Sequence, residues 1–291
     1  MSRRDEVVTL AEGAQQVETE FLEIQRGARP KWLSTGFRKL DEVIGGLQPT
    51  LIIIGAQPGI GKSAFLAGMI RALGKARVQI GVFSLEDRLS WLVWRLLAYE
   101  TSLDQQVLRS THLSHEARVA AQQGFEEIRR YGDKVFLDDR PALSPRDICE
   151  AATRMIQEKQ VRAILVDHLG EMRFGNARRE RYDLDVGEGL GSLRALANEH
   201  QIPVVCATQL RRDSADREHP LLTDFANSAE VERKARIALA LTRKPDDKEL
   251  TVWVLKNTNG RSHLFCRVPF DASAALVIEK QHGLRSIADA E

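Results

Sequence analysis

The residues best suited to chemistry stand in one short stretch, "IIIGAQPGIGKSAF", residues 52–65. It pairs a glycine-rich turn with a lysine and a serine, the residues that phosphate-binding loops use. The strict spacing G-x-x-x-x-G-K-[ST] asks for glycine five residues before Gly61, and Ala56 stands there. Gly55, Gly59 and Gly61 still give backbone freedom around the turn. The apolar run before the loop and the helical pattern after it supply the strand–loop–helix setting such a loop needs. Backbone N–H groups of residues 58–63 would then face a β-phosphate at the positive end of a helix. The cradle runs over Gln57, Pro58, Gly59, Ile60, Gly61, Lys62, Ser63 and Ala64. Lys62 would reach the β- and γ-phosphates, and the Ser63 hydroxyl would ligate Mg²⁺. ATP with Mg²⁺ is the expected pair. The bland alternative is a glycine-rich turn with no ligand, which the Gly-Lys-Ser run disfavours.

Three more polar groups end apolar runs. Asp167 closes "AILVD" and is placed to hold a Mg²⁺ shell. Glu86 follows "GVFSL", where a carboxylate can act as general base toward water. Gln209 ends "PVVCATQ", where an amide could sense a γ-phosphate. Singly, each is as ordinary as a surface cap. Together with the loop they point to one cleft at the carboxyl ends of several strands.

The elements that must position these groups alternate. "LIIIG", "VQIGVFS", "KVFLDD", "AILVD" and "PVVCATQ" read as strands, and their continuous apolar character predicts burial on both faces of a parallel sheet. Helical stretches lie between them, one carrying Trp91, Leu92, Trp94, Leu96 and Leu97. Another opens on Ser144-Pro145, an N-cap followed by proline at the first helical position. After about residue 236 the segments "RIALALTRK", "ELTVWVLK", "HLFCRVPF" and "ALVIE" suggest an antiparallel extension of the sheet. The expected class is α/β, with a mostly parallel central sheet and antiparallel C-terminal strands. Ahead of it, Val7, Leu10, Ala14, Val17, Phe21 and Ile24 form a helical apolar stripe that packs on its own domain or docks on a neighbouring subunit. The expected division is a helix and linker over residues 1–30 and an ATPase domain over 31–291.

The 291 residues carry a formal net charge of +1, so bulk charge does not announce a nucleic-acid binder. No apolar run reaches the ~20 residues that span a bilayer, and the start has no signal-peptide core, so no membrane partner is expected. The three cysteines are far apart and outside any C-x-x-C pair. A reducing cytoplasm fits them best.

These motifs, in this order, resemble the DnaB family of replicative helicases, whose ATPase core is RecA-like. The resemblance runs from about Thr35 to Ile278. "STGFRKLDEVIGGL" is similar to the family's approach to its ATPase domain, and that family also carries alanine at the Ala56 position. "VFSLED" resembles its catalytic-glutamate motif and "ILVDHLGEM" its Walker B segment, which implies roles for Glu86 and Asp167. "LRALANEHQIPVVCATQLRR" resembles the helix and strand that deliver a sensor glutamine, Gln209. "LKNTNGRS" is similar to the segment that reaches a neighbouring subunit's ATP, which implies a catalytic role for Lys256. Thr258 stands at that segment's arginine-finger position, leaving Arg261, three residues on, as the substitute. In "LTDFANSAEVERK" the DNA-gripping arginine, glutamate and glycine are replaced by Ala226, Asn227 and Ala229. Nothing before residue 30 matches the family's N-terminal helical domain, so a primase contact made through that domain is not expected.

Basic runs follow two of the strands: "RFGNARRER" after Asp167, with Arg178 and Arg179, and "RRDSADRE" after Gln209, with Arg211, Arg212 and Arg217. In RecA-like rings, loops at these places line the pore, so these arginines and Asn227 are the expected contacts to single-stranded DNA. A solvated face is the alternative. The leading expectation is an ATP-driven hexameric helicase moving 5′ to 3′ on single-stranded DNA in replication, with a helicase loader among its partners. The competing ones are a DnaB-like paralogue that uses ATP as an assembly or partner switch, and a P-loop small-molecule kinase.

Overall fold

The computed structural model describes residues 9–26, 32–174, 182–211, 219–244, 247–271, 276–277 and 285–286. The chain divides into two units, Met1–Trp32 and Leu33–Glu291. The first contains α1 (Leu10–Gln25), a helix with Leu10, Val17, Phe21 and Leu22 exposed. Val7, the first residue of the expected stripe, lies outside the described residues.

The second unit is built on one sheet. Its order begins with β6 (Ile237–Thr242), β1 (Leu51–Ala56), β5 (Val204–Gln209), β4 (Ala163–Asp167), β2 (Ile80–Ser84) and β3 (Val135–Asp138). All neighbours in this run are parallel. Beyond β6 lie β7 (Glu249–Asn257) and β8 (Leu264–Asp271), with β9 (Leu276–Val277) and β10 (Arg285–Ser286) paired to β8, all antiparallel. The fold is therefore α/β with a mostly parallel sheet and an antiparallel C-terminal extension. One strand departs from expectation. β6 extends the parallel run beside β1, and the antiparallel part begins only at β7. A run as apolar as "IALAL" suits an interior strand of either direction, so composition alone could not decide it.

Four of the continuous apolar strands bury both faces, as expected, whereas β3, at the sheet edge with β2 as its one strand partner among the described residues, is only half-buried. Ile52 and Ile54 point into one core with α2 (Arg38–Ile44) and α3 (Lys62–Lys75), where Phe37 stacks on Phe65 at 4.4 Å. Leu51 and Ile53 point into the other, with α7 (Pro145–Lys159), α8 (Tyr182–His200) and α9 (Ser228–Lys234). α4 (Leu89–Thr101), α5 (Gln105–Leu108) and α6 (His115–Gly132) cover the edge near β2 and β3, with Leu97, Ala98 and Leu108 in a third small cluster. α7 starts as its sequence dictates. Ser144 Oγ accepts from Asp147 N–H at 3.2 Å, the Asp147 carboxylate accepts from Ser144 N–H at 2.9 Å, and Pro145 follows. Among the described residues no helix is long and apolar enough to cross a membrane.

Candidate nucleotide site

β1 ends at Ala56 and α3 begins at Lys62, so the loop between them turns within five residues. Two glycines make that possible. Gly59 has φ +79°, and Gly61, the N-cap of α3, has φ +116°. A Cβ at Gly61 would also sit 2.7 Å from the Phe270 ring. No side chain caps α3, so the positive end of the helix faces the loop's concave side. That side opens into a cleft of about 350 Å³.

Charges converge on this cleft from the carboxyl ends of the strands. Lys62 Nζ lies 3.3 Å from Asp167 Oδ1 and 3.8 Å from Glu86 Oε2. Strand register brings this about. Ser84, at the end of β2, pairs with Asp167 at the end of β4, and Ala56 pairs with Gln209. Between them sits His168, only 2% exposed, with Nε2 3.4 Å from Glu86 Oε2 and 3.3 Å from the Gln209 amide. Burial, and then the nearby Lys62 ammonium, hold His168 below its ordinary pKa. Asp167 Oδ1 is buried and accepts no hydrogen bond, its near neighbour being the Lys62 cation. A hard divalent cation suits such an oxygen beside a serine hydroxyl, so the donor set fits Mg²⁺.

Gln57, Pro58, Gly59, Gly61, Lys62, Ser63, Ala64, Glu86 and Gln209 line the cleft. Ile60 lies within the same loop. Asp167 meets Ser63 in a small adjoining cavity of about 20 Å³, behind the loop. Lys256 and Arg261 do not line this cleft. Lys256 is half-buried on β7 and its ammonium donates to the Glu232 carbonyl. Burial, and then Arg194 and Arg236, lower its pKa despite Glu232. Arg261 is exposed in the β7–β8 turn. Arg211 follows Gln209, and its carbonyl accepts from Gln57 Nε2 at 3.3 Å. Asn227 precedes α9 in left-handed backbone, φ +58°. Arg178, Arg179, Arg212 and Arg217 lie outside the described residues.

Sequence reasoning missed four residues here. Arg243, just after β6, lies over the Phe270 ring at 4.7 Å, and this pair walls the cleft. Neither stands in a recognisable motif: Arg243 arrives at the end of β6 and Phe270 on β8. Arg95 on α4 lines both cavities and is held by Asp87 at 2.5 Å. Its signal was legible, since it sits one helical stretch after Glu86. His168 was hidden in plain view beside Asp167.

A family model described as "DnaB-like helicase C terminal domain" matches residues 32–276. The chain is 31% identical over 215 residues to the replicative DNA helicase DnaB of Geobacillus stearothermophilus, covering 72% of this chain and 47% of that protein. It is 29% identical over 239 residues to the replicative DNA helicase DnaC of Bacillus subtilis, covering 78% and 52%. It thus spans about half the length of the curated relatives it matches. Among solved structures, a DnaB-like replicative helicase, described together with its interactions with primase, superposes with a TM-score of 0.82 at 20% identity. That match covers 95% of this chain and 68% of the other. At such identity the likeness concerns the fold alone. With the family match spanning most of the chain and the sequence relatives agreeing, the chain belongs to the DnaB-like helicase C-terminal domain family.

Proposed function

We propose that this chain is the ATP-hydrolysing motor of a ring-shaped DNA helicase that moves 5′ to 3′ on single-stranded DNA during replication. One observation carries the reading: Glu86 after β2 and Gln209 at the end of β5 line one cleft with Lys62 at the start of α3, whose ammonium lies 3.3 Å from Asp167 at the end of β4. The loop N–H groups and Lys62 bind the phosphates. Mg²⁺ would be held by Ser63 and Asp167, and would neutralise charge developing on the β- and γ-oxygens. Glu86 takes a proton from water as its oxygen attacks the γ-phosphorus. The bond to the β–γ bridging oxygen then breaks, giving ADP and phosphate. The Arg243–Phe270 pair offers the purine a flat face. Lys256 and Arg261 act on the site of a neighbouring copy, which accounts for their distance from their own cleft. Arg211, Asn227 and Arg178, Arg179, Arg212 and Arg217 contact the DNA backbone, multiplied around a hexamer. A helicase loader and other replication proteins are its further partners, and its place is the cytoplasm.

A second reading keeps the ATPase fold but makes ATP an assembly or partner switch. It is favoured by Thr258, whose hydroxyl donates to the Arg236 carbonyl at 3.0 Å and carries no charge to offer a neighbour. A DNA-stimulated ATPase assay run beside strand displacement separates the two. The motor reading expects both activities in the parent, and Glu86→Gln to keep ATP binding while turnover falls by a factor of at least about 10². Turnover at the parent rate in Glu86→Gln would remove Glu86 as the base. Hydrolysis with no displacement would favour the switch.

A further inference from the structure

The histidine between Glu86 and the Gln209 amide has no role in the motif it stands in, yet its hydrogen bonds leave it little choice of state. Gly170 N–H donates to His168 Nδ1 at 2.9 Å. A backbone N–H can only donate, so Nδ1 is an acceptor and the ring proton sits on Nε2. The packing enforces this pose. A Cβ at Gly170 would stand 2.8 Å from His168 Cε1, so the absence of a side chain there lets the ring seat itself over the turn.

The consequence falls on Gln209. Its amide nitrogen is placed 3.3 Å from His168 Nε2, and two donors cannot face each other. The amide oxygen therefore belongs on the histidine side, and the NH₂ group is turned away from the ring. Glu86 Oε2, 3.4 Å from the same Nε2, is a second acceptor within reach of that one proton. A single N–H thus sets the amide and borders the carboxylate.

We propose that His168 is a positioning residue for hydrolysis: its fixed Nε2–H tautomer turns the Gln209 amide so that its NH₂ group donates to the γ-phosphate. This deepens the hydrolytic reading above and rests on it. With the His168 proton on Gln209, both Glu86 oxygens stay open to water. With the ring removed, the amide rotates freely and presents its oxygen to an anion about half the time.

Two substitutions dissect the ring. In His168→Asn an oxygen keeps the Nδ1 acceptor for Gly170 and loses the far donor. In His168→Gln an amide N–H stands near the Nε2 position. We expect His168→Asn to lower kcat about tenfold with KM for ATP within about twofold and thermal stability unchanged, the size expected for one hydrogen bond in a charged site. His168→Gln should recover most of the lost kcat. His168→Asn combined with Gln209→Ala should be no slower than Gln209→Ala alone. Parent kcat in His168→Asn overturns the proposal. So do multiplied losses in the double variant, or equal losses in both single variants that track their melting temperatures. A parent that hydrolyses no ATP defeats the hydrolytic reading instead. The proposal is then decided by ¹⁵N-histidine NMR of the parent, with the His168 resonances assigned by their loss in His168→Asn. A ring protonated on Nε2 alone is expected, and an Nδ1–H tautomer overturns it.

Discussion

At the scale of single residues, the loop between β1 and α3 owes its shape to backbone freedom at one position above all. Gly61 combines a positive φ with a ring placed where its side chain would be, so two separate penalties meet there. Left-handed backbone alone costs a non-glycine residue roughly 1–2 kcal/mol. Gly61→Ala is therefore expected to weaken ATP binding about tenfold or more, measured by titration with a fluorescent nucleotide. Adding Phe270→Ala should recover part of that loss when binding is read with inorganic tripolyphosphate, which makes no use of the ring as a purine face, since it relieves the steric penalty and leaves the backbone one. Full recovery would mean that φ at Gly61 is unimportant, and no recovery that the ring does not press on the loop. Ala56 explains itself at this scale too. It is the last residue of β1, buried and paired with Gln209, so the strand's ordinary geometry serves and no glycine is required.

At the scale of elements, the helix that begins at Lys62 is braced by an ion cluster. Glu100 on α4 accepts from Arg71 Nε at 2.7 Å and Lys75 Nζ at 2.6 Å, both on α3. Its side chain is only 4% exposed, whereas the two cations keep about a third of their surface in water, 32% and 35%. Burial raises the Glu100 pKa, but the hydrogen bonds and charges of Arg71 and Lys75 outweigh it, and the carboxyl lies below its usual 4.5. A depressed folded pKa stabilises the fold fully above the unfolded value, and that stabilisation is lost as pH falls through the folded one. Glu100→Gln should therefore flatten the fall in stability on the acid side of about pH 4.5, read from denaturant midpoints across pH. Glu100→Ala near neutral pH should cost about 3 kcal/mol, the low end for breaking a buried pair because its partners stay half-hydrated. An acid limb as steep in Glu100→Gln as in the parent would show that other carboxylates set it.

At the scale of the whole molecule, α1 leaves four large apolar side chains, Leu10, Val17, Phe21 and Leu22, between 45% and 91% exposed. An apolar stripe of that kind is a surface that asks for a partner. Deleting residues 1–25 is expected to lower the mass of the assembly in light scattering, while the Leu33–Glu291 unit keeps its thermal transition. An assembly of unchanged mass would refute a role for α1 between copies. Loss of the thermal transition would instead make α1 part of that unit's own core.

The sequence by itself determined the local features, because each rests on neighbours in the chain. Continuous apolar runs dictated strands, buried on both faces in the sheet interior, the Ser144-Pro145 step a helix start, and the glycines before Lys62 a tight turn. It also placed Glu86, Asp167 and Gln209 at strand ends, since a polar residue closing an apolar run has few other places to be. Tertiary structure decided what depends on strand order. β6 joined the parallel run because its partner, β1, lies 185 residues away from it in register, with Ile52 opposite Ile237. Composition holds no record of such a pairing. Arg243 reached the cleft at the end of that parallel strand, and Phe270 on β8 of the antiparallel extension. His168 was visible beside Asp167 throughout, but its neighbours Glu86 and Gln209 stand 82 and 41 residues away. Only the folding of β2, β4 and β5 side by side turns one ring nitrogen into a link between them.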